Sequence, residues 1–279
     1  MFVSCDSALQ DGGVSAHILP DMDHIRLLST DFDGTLIGHP GDGRCVPELA
    51  EALSGFVARG GLWAINTGRS LEHAVEGLQQ FDAPVSPQFL LTNEREVFCR
   101  DAGSAWSDFG AWNSTCRAVH ADLFSTDSGI FDVILATLPE SADVTVIEES
   151  GHPVGVITAD EIVMQSVVDA LEPARRQFPD FSWQRNTIYL RFCHRAYHKG
   201  AALGELGRLT GIAPSETMAA GDHFNDLSML CGTFASYVAC PANAIESVKD
   251  AVRAVDGHVS DLNYGAGIAE ALRAFHATK

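Results

Sequence analysis

The chain has 279 residues, 46% of them apolar and 20% charged, enough to bury a core in one large domain or two smaller ones. Its 37 acidic residues outnumber the 18 basic ones for a formal net charge of -19, which argues against nucleic acid or an anionic membrane surface as the main partner. No apolar run reaches the length of a membrane span. The seven scattered cysteines contain no Cys-x-x-Cys pair, which argues against a disulfide framework or a structural zinc site and for a reducing, cytoplasmic setting.

Residues 1–24 lack the basic start and apolar stretch of a signal peptide, carry several Asp and Gly, and are expected to be an extension outside the fold. From Ile25 short apolar strands alternate with amphipathic helices. Residues 25–30 form a strand that ends at Asp31-Phe32-Asp33-Gly34-Thr35. Pro47 suits the first turn of a helix carrying Leu49, Leu53, Phe56 and Val57, and Gly60-Gly61 stops it. Residues 62–66 make a second strand, followed by Thr67-Gly68-Arg69, and Ser70 is placed to cap a helix over 71–80. Strands 89–92 and 96–99 pair through a turn at Asn93. This rhythm predicts a Rossmann-like, doubly wound parallel α/β sheet.

The pattern then changes. Trp112, Cys116, Val119 and Leu123 recur at helical spacing, and 130–138 reads as a short helix or a strand. Strands are expected at 144–147 and 154–157, joined through Gly151. A helix through Val163, Val167 and Leu171 should break or restart at Pro173, before a strand pair at 181–183 and 188–192. Residues 100–193 are thus expected to be a smaller α+β domain inserted into a core made of 25–99 and 194–279. The first rhythm returns with a helix over 199–209 and a strand over 217–220 that ends at Gly221-Asp222. A helix start at Leu227 and Leu230, a strand over 234–239, and helices over 244–252 and 268–275 follow.

In open parallel sheets ligands bind beyond the carboxyl ends of the strands. Four polar clusters fall at such points or at a helix start: Asp31 to Thr35, Thr67 to Arg69, Lys199, and Gly221-Asp222-His223-Phe224-Asn225-Asp226. Taken singly, these are a solvated turn, a strand-to-helix junction, a surface lysine and a loop or cap. Taken in order, they suit phosphoryl transfer. Asp31 can attack phosphorus and Asp33, two residues on, can protonate the leaving oxygen and activate water. Gly34 permits the sharp turn after them. Clustered carboxylates call for a hard cation, to which Asp222 adds an oxygen, and Thr67 and Lys199 can hold the transferring oxygens.

In combination these motifs resemble the haloacid dehalogenase-like hydrolases, and among them the Cof-type sugar phosphatases, from about residue 25 to the end. The matching runs are Asp31-Phe32-Asp33-Gly34-Thr35-Leu36, Asn66-Thr67-Gly68-Arg69, Lys199-Gly200-Ala201-Ala202-Leu203, and Gly221 through Leu230. The resemblance implies nucleophile Asp31, acid/base Asp33, phosphate contacts from Thr67, Gly68 and Lys199, and magnesium held by Asp31, the Asp33 carbonyl and Asp222. Asn225 and Asp226 would support that site, Arg69 and Asn93 are candidate substrate contacts, and the insertion would be a cap that selects a small phosphorylated metabolite. His152, Arg185, Arg191 and His194 are further candidates on that cap. The chain departs from the family in its third turn, where Asn93-Glu94-Arg95 replaces the usual Asn-Gly. A phosphomutase or phosphotransferase, or a non-catalytic binding protein on the same fold, are the alternatives. A dehalogenase leaves Asp33 without a task.

Overall fold

The computed structural model describes residues 25–38, 43–101, 105–125, 129–149 and 152–277. The expected N-terminal extension and the joint at Gly151 lie outside the described residues. The chain forms two compact units: one runs up to Asn113 and includes 199–222 and 226 onward, the other comprises 114–198 with 223–225.

The first unit is built on an eight-stranded sheet in the order β12-β11-β10-β1-β2-β3-β4-β5. Its strands are β1 (Leu27–Thr30), β2 (Leu62–Asn66), β3 (Phe89–Thr92), β4 (Glu96–Arg100), β5 (Trp106–Asp108), β10 (Thr217–Ala220), β11 (Tyr237–Cys240) and β12 (His258–Val259). Strands β12 to β3 in that order run parallel, and β4 and β5 add on antiparallel. Alternate residues feed two opposite cores, because successive side chains of a strand point to opposite faces. Leu28, Trp63, Ile65, Met218 and Ala220 pack with Leu49, Leu53 and Phe56 of α1 (Pro47–Ala58), Ala74 and Phe81 of α2 (Leu71–Phe81) and Ile268 and Leu272 of α8 (Tyr264–Ala277). Leu27, Ala64, Ala219 and Val238 pack with Ala202, Leu203 and Leu206 of α6 (Lys199–Thr210) and Val248 and Val252 of α7 (Glu246–Ala254). Both faces are covered, so the central strands read as continuous apolar runs and not as alternation. Ser70 caps α2 as expected, its side chain accepting from His73 N.

The second unit pairs an antiparallel sheet, β6-β7-β9-β8, with helices α3 to α5. Its elements are α3 (Trp112–Leu123), α4 (Ile130–Thr137), β6 (Val144–Glu149), β7 (His152–Thr158), α5 (Glu161–Gln177), β8 (Phe181–Asn186) and β9 (Tyr189–His194). Its core joins Ile130 and Ile134 of α4, Met164, Val167 and Leu171 of α5, and Val156, Phe181, Leu190 and Phe192 of the sheet. Residues 130–137, undecided between helix and strand in the sequence, are helical.

Four expectations need correcting. The insertion does not begin at residue 100, because β5 extends the main sheet and Asn113 fastens to it. Asn113 Oδ1 accepts from Val97 N at 2.7 Å and its Nδ2 donates to Val97 O at 2.9 Å. The second unit accordingly spans 114–198 and not 100–193. Helix α5 runs through Pro173 without a break. Pro173 and Asp169 are both exposed, so the carbonyl that loses its intrahelical partner can be solvated. No helix starts at Leu227: a single 3-10 turn, Phe224–Asp226, is followed by bends that reach Gly232 at φ 79°. Among the cysteines, Cys45, Cys116, Cys193, Cys231 and Cys240 are free, whereas Cys99 departs from expectation in being disulfide-bonded. No described helix is long and apolar enough to cross a membrane.

Candidate active site

Strands β10, β1, β2 and β3 are parallel neighbours, in register at their carboxyl ends through Thr30↔Ala220, Thr30↔Ile65 and Asn66↔Leu91. The residues that follow each strand therefore emerge along one edge: Asp222 after β10, Asp31 after β1, Thr67 after β2 and Asn93-Glu94 after β3. Lys199 opens α6 and is carried to the same edge, with its carbonyl accepting from Asn66 Nδ2 at 3.0 Å.

Lys199 is completely buried. Its Nζ donates to Asp31 Oδ1 at 2.6 Å and to Asp226 Oδ1 at 2.7 Å, and Glu94 Oε2 lies 3.9 Å away. Asp226 is itself fixed, since its Oδ2 accepts from Asp222 N at 2.9 Å. Asp222 Oδ1 accepts from Thr35 Oγ1 at 2.8 Å. Gly34, at φ 84°, is what admits Asp222: a Cβ there would fall 2.3 Å from Asp222 Oδ2. Asn243 completes the turn, donating through Nδ2 to Gly34 O at 2.7 Å.

Three buried carboxylates, Asp31, Asp226 and Glu94, thus surround one ammonium, and a fourth, Asp222, is tied to Asp226. The electrostatic consequence is uneven. Burial raises Asp31 well above the usual carboxylate range, Lys199 offsets part of that, and the neighbouring Asp226 and Asp222 add to it. Asp222 is pushed up to about 7, chiefly by burial and then by Asp226. For Lys199, burial works against the charged form, but Asp226, Asp31 and Glu94 outweigh it and hold the ammonium well above its ordinary value. The site carries an excess of negative charge that protons relieve only in part.

Oxygens of Asp31, Asp222 and Asp226 lie within 4.8 Å of one another. This all-oxygen, partly protonated set fits a hard divalent cation, for which such carboxylates are the preferred donors. Asp31 and Asp222 are the better placed, because both oxygens of Asp226 are already engaged by Lys199 and the Asp222 amide.

The remaining sequence candidates divide. Thr67 is buried at the end of β2, and its Oγ1 accepts from Arg69 N at 3.2 Å. Gly68 follows it, directly beneath the Glu94 carboxylate. Asp33 is half-exposed and is clasped by Arg69, with Nε to Oδ2 at 2.7 Å and Nη2 to Oδ1 at 2.5 Å. Arg69, a candidate substrate contact, is therefore committed to Asp33, and it also lies over the Phe32 ring with Cζ 4.9 Å from the centroid. Asn93, the other such candidate, turns its amide to Glu96 Oε2 at 2.8 Å. Asn225 is buried in the 3-10 turn but belongs to the second unit. In that unit His152 stacks on Phe131, Arg185 donates to Gln165 and lies over Phe224, Arg191 lies over Tyr189, and His194 accepts from Ala196 N.

Sequence reasoning missed Thr35, Asn243 and the inward turn of Glu94. Thr35 stood in the first motif and had a readable hydroxyl. Asn243 is 209 residues from the carbonyl it binds, and no local pattern marks it.

A family profile described as haloacid dehalogenase-like hydrolase matches residues 140–272. A protein of Streptococcus pyogenes serotype M6, named as a candidate phosphatase, is 25% identical over 276 residues, covering 89% of this chain and 97% of its own. Over residues 140–272 the chain is similar to the haloacid dehalogenase-like hydrolases. Solved structures share the fold. The sucrose-phosphatase of Synechocystis sp. PCC6803, in complex with sucrose and phosphate, superposes with a TM-score of 0.68 at 18% identity, covering 91% of this chain and 98% of that one. A subclass IIB sugar phosphatase of the same superfamily gives 0.58 at 18% identity, covering 90% and 98%.

Proposed function

We propose that this protein is a magnesium-dependent phosphatase that releases inorganic phosphate from a small phosphorylated metabolite, a sugar phosphate, by way of an aspartyl-phosphate on Asp31. One observation carries the reading: the buried Lys199 ammonium joins Asp31 to Asp226, with Asp222 fixed beside them, at the carboxyl edge of the sheet. The sugar assignment is supported by the two sugar phosphatases that share the fold.

Asp31, Asp222 and the Asp33 carbonyl would hold the magnesium ion. When bound, the ion would offset the carboxylates and the substrate phosphate, the electrostatic help this reaction most needs. The chain's own groups do the rest. Lys199 fixes Asp31 Oδ1, which orients the carboxylate for attack, and its third N–H is directed to a phosphoryl oxygen. The Thr67 hydroxyl and the Gly68 amide hold the other oxygens. As the Asp31–phosphorus bond forms and the ester bond breaks, Asp33 gives its proton to the leaving oxygen. It then takes a proton from the water that attacks phosphorus, which frees Asp31 and inorganic phosphate. For this Arg69 must release Asp33, so the clasp belongs to the resting state.

The test is phosphate release from a panel of sugar phosphates with magnesium chloride. Asp31→Asn should lower kcat by at least about 10³-fold, with chelator producing a comparable loss in the native chain. Full activity in that variant would remove Asp31 from the mechanism. Isomerised sugar phosphate with little free phosphate would point to phosphoryl transfer between hydroxyls instead.

A further inference from the structure

The third turn holds a glutamate in an unfavourable conformation. Asn93 and Glu94 both have positive φ, 51° and 67°, the left-handed region that favours glycine. Glu94 N donates to Thr67 O at 3.2 Å and Asn93 N to Arg69 O at 2.9 Å, so the turn is laced to the segment that carries Gly68. The side chain is then buried and directed inward. Its Oε1 rests on Gly68, where a Cβ would meet it at 2.4 Å, and its Oε2 is 3.9 Å from Lys199 Nζ. Gly68 and Lys199 are two of the groups assigned above to the phosphoryl oxygens. A non-glycine residue at φ 67° runs against backbone preference, and its buried carboxylate carries a desolvation cost that a lysine already shared with Asp31 and Asp226 offsets only in part. Such costs are concentrated where a residue acts on a ligand.

We propose that Glu94 is a specificity-determining residue, a fixed anion on the wall of the phosphoryl pocket that weakens its hold on free phosphate and on esters carrying a second negative group beside the scissile phosphate. The inference rests on the phosphatase reading and adds a residue that would hold the substrates to phosphate esters of uncharged polyols. The phosphoryl group has to sit within reach of Lys199 and Gly68, and the Glu94 carboxylate touches one and stands at 3.9 Å from the other. A buried unit charge this near the groups that hold the phosphoryl oxygens acts strongly on a bound dianion, because burial leaves it poorly screened. An ester whose remaining charge is zero meets this repulsion once, at the phosphoryl group, where attack by Asp31 offsets it. A bisphosphate or a carboxylated ester meets it a second time. Inorganic phosphate meets it with no reaction ahead, which speeds product release.

Two variants separate charge from shape. Glu94→Gln keeps the side chain and removes the anion, whereas Glu94→Gly suits the left-handed backbone and vacates the wall. Binding of inorganic phosphate at fixed magnesium chloride is measured by calorimetry, a readout independent of turnover. Glu94→Gln is expected to bind phosphate on the order of tenfold tighter than the native chain, and Glu94→Gly at least as tightly. In parallel, the ratio of kcat/KM for a neutral sugar monophosphate over a bisphosphate or phosphorylated acid should fall by a similar factor in both. Unchanged or weaker phosphate binding by Glu94→Gln overturns the proposal, and if that variant melts unlike the native chain, Glu94→Gly decides by the same criterion. If no ester is turned over at all, the phosphatase reading fails while the calorimetric result still judges Glu94.

Discussion

A lysine with no exposure to solvent and an aspartate lifted to a pKa of about 7 sit at the same sheet edge, and both follow from burial among carboxylates. For Lys199, two short hydrogen bonds to carboxylates offset desolvation. For Asp222, desolvation and Asp226 prevail and lift it from 3.8 to about 7. The folded chain therefore keeps a proton that the unfolded chain has already lost between those values. The contribution of this group to stability is full below pH 3.8 and is lost as pH rises to about 7. In chelator-treated protein, stability should fall by a few kcal/mol across that window, at roughly 1.4 kcal/mol for each step of one in pH. Thermal melts at pH 5 and pH 8 would check this, with Asp222→Asn expected to flatten the slope. Magnesium should restore stability at pH 8 and do less at pH 5, where it competes with the proton. Of this chemistry, the acidic pair Asp31 and Asp33 was legible in the sequence. That Arg69 clasps Asp33 was not, because the clasp depends on a seat over Phe32 and against Gly77, where a Cβ would fall 2.3 Å from the guanidinium.

Local periodicity found most of the elements, and it failed where one residue type or one long-range bond decided the outcome. Strand β2, Leu62–Asn66, and strand β10, Thr217–Ala220, have the bounds that their apolar runs suggest. The segment after Asp226 carries Leu227 and Leu230 at helical spacing, yet Asp226 gives both carboxylate oxygens to Lys199 and the Asp222 amide, and the chain turns. Helix α5 shows the opposite case, a proline that does not break its helix. The missing hydrogen bond still costs stability even where solvent reaches the orphaned carbonyl. Replacing exposed Pro173 by Ala should therefore stabilise the second unit by about 1–2 kcal/mol, the helix-propensity gain less the unfolded-state entropy that proline removes. Urea unfolding followed by circular dichroism would measure it, and a loss of stability would mean that Pro173 makes packing contacts worth more than the missing bond.

A formal charge of -19 on 279 residues is a property of the whole chain, and repulsion of that size weakens the compact state. Raising sodium chloride from about 10 to about 300 mM shortens the screening length from about 30 to about 6 Å, so the melting temperature should rise by a few degrees. Calorimetry with chelator present separates this general effect from magnesium binding, which should act at far lower concentration. A flat response to sodium chloride would mean that the charges are already compensated by pairs such as Arg26–Glu216 and Lys249–Glu246.

By itself the sequence determined the fold class and marked out the four clusters, because apolar periodicity and glycine at sharp turns act over a few residues. It also placed each cluster at a strand end or a helix start, which in a parallel sheet means a common edge. Only the tertiary structure decided how those groups face one another. Lys199 bridges Asp31 and Asp226 across 168 and 27 residues, and Asn243 reaches Gly34 across 209. It also decided that the insertion starts after Asn113, since a further antiparallel strand and one buried amide, not composition, end the core sheet. The same holds for Glu94. In the sequence it was a misfit in a turn, and in the structure it is buried against Gly68 and near Lys199.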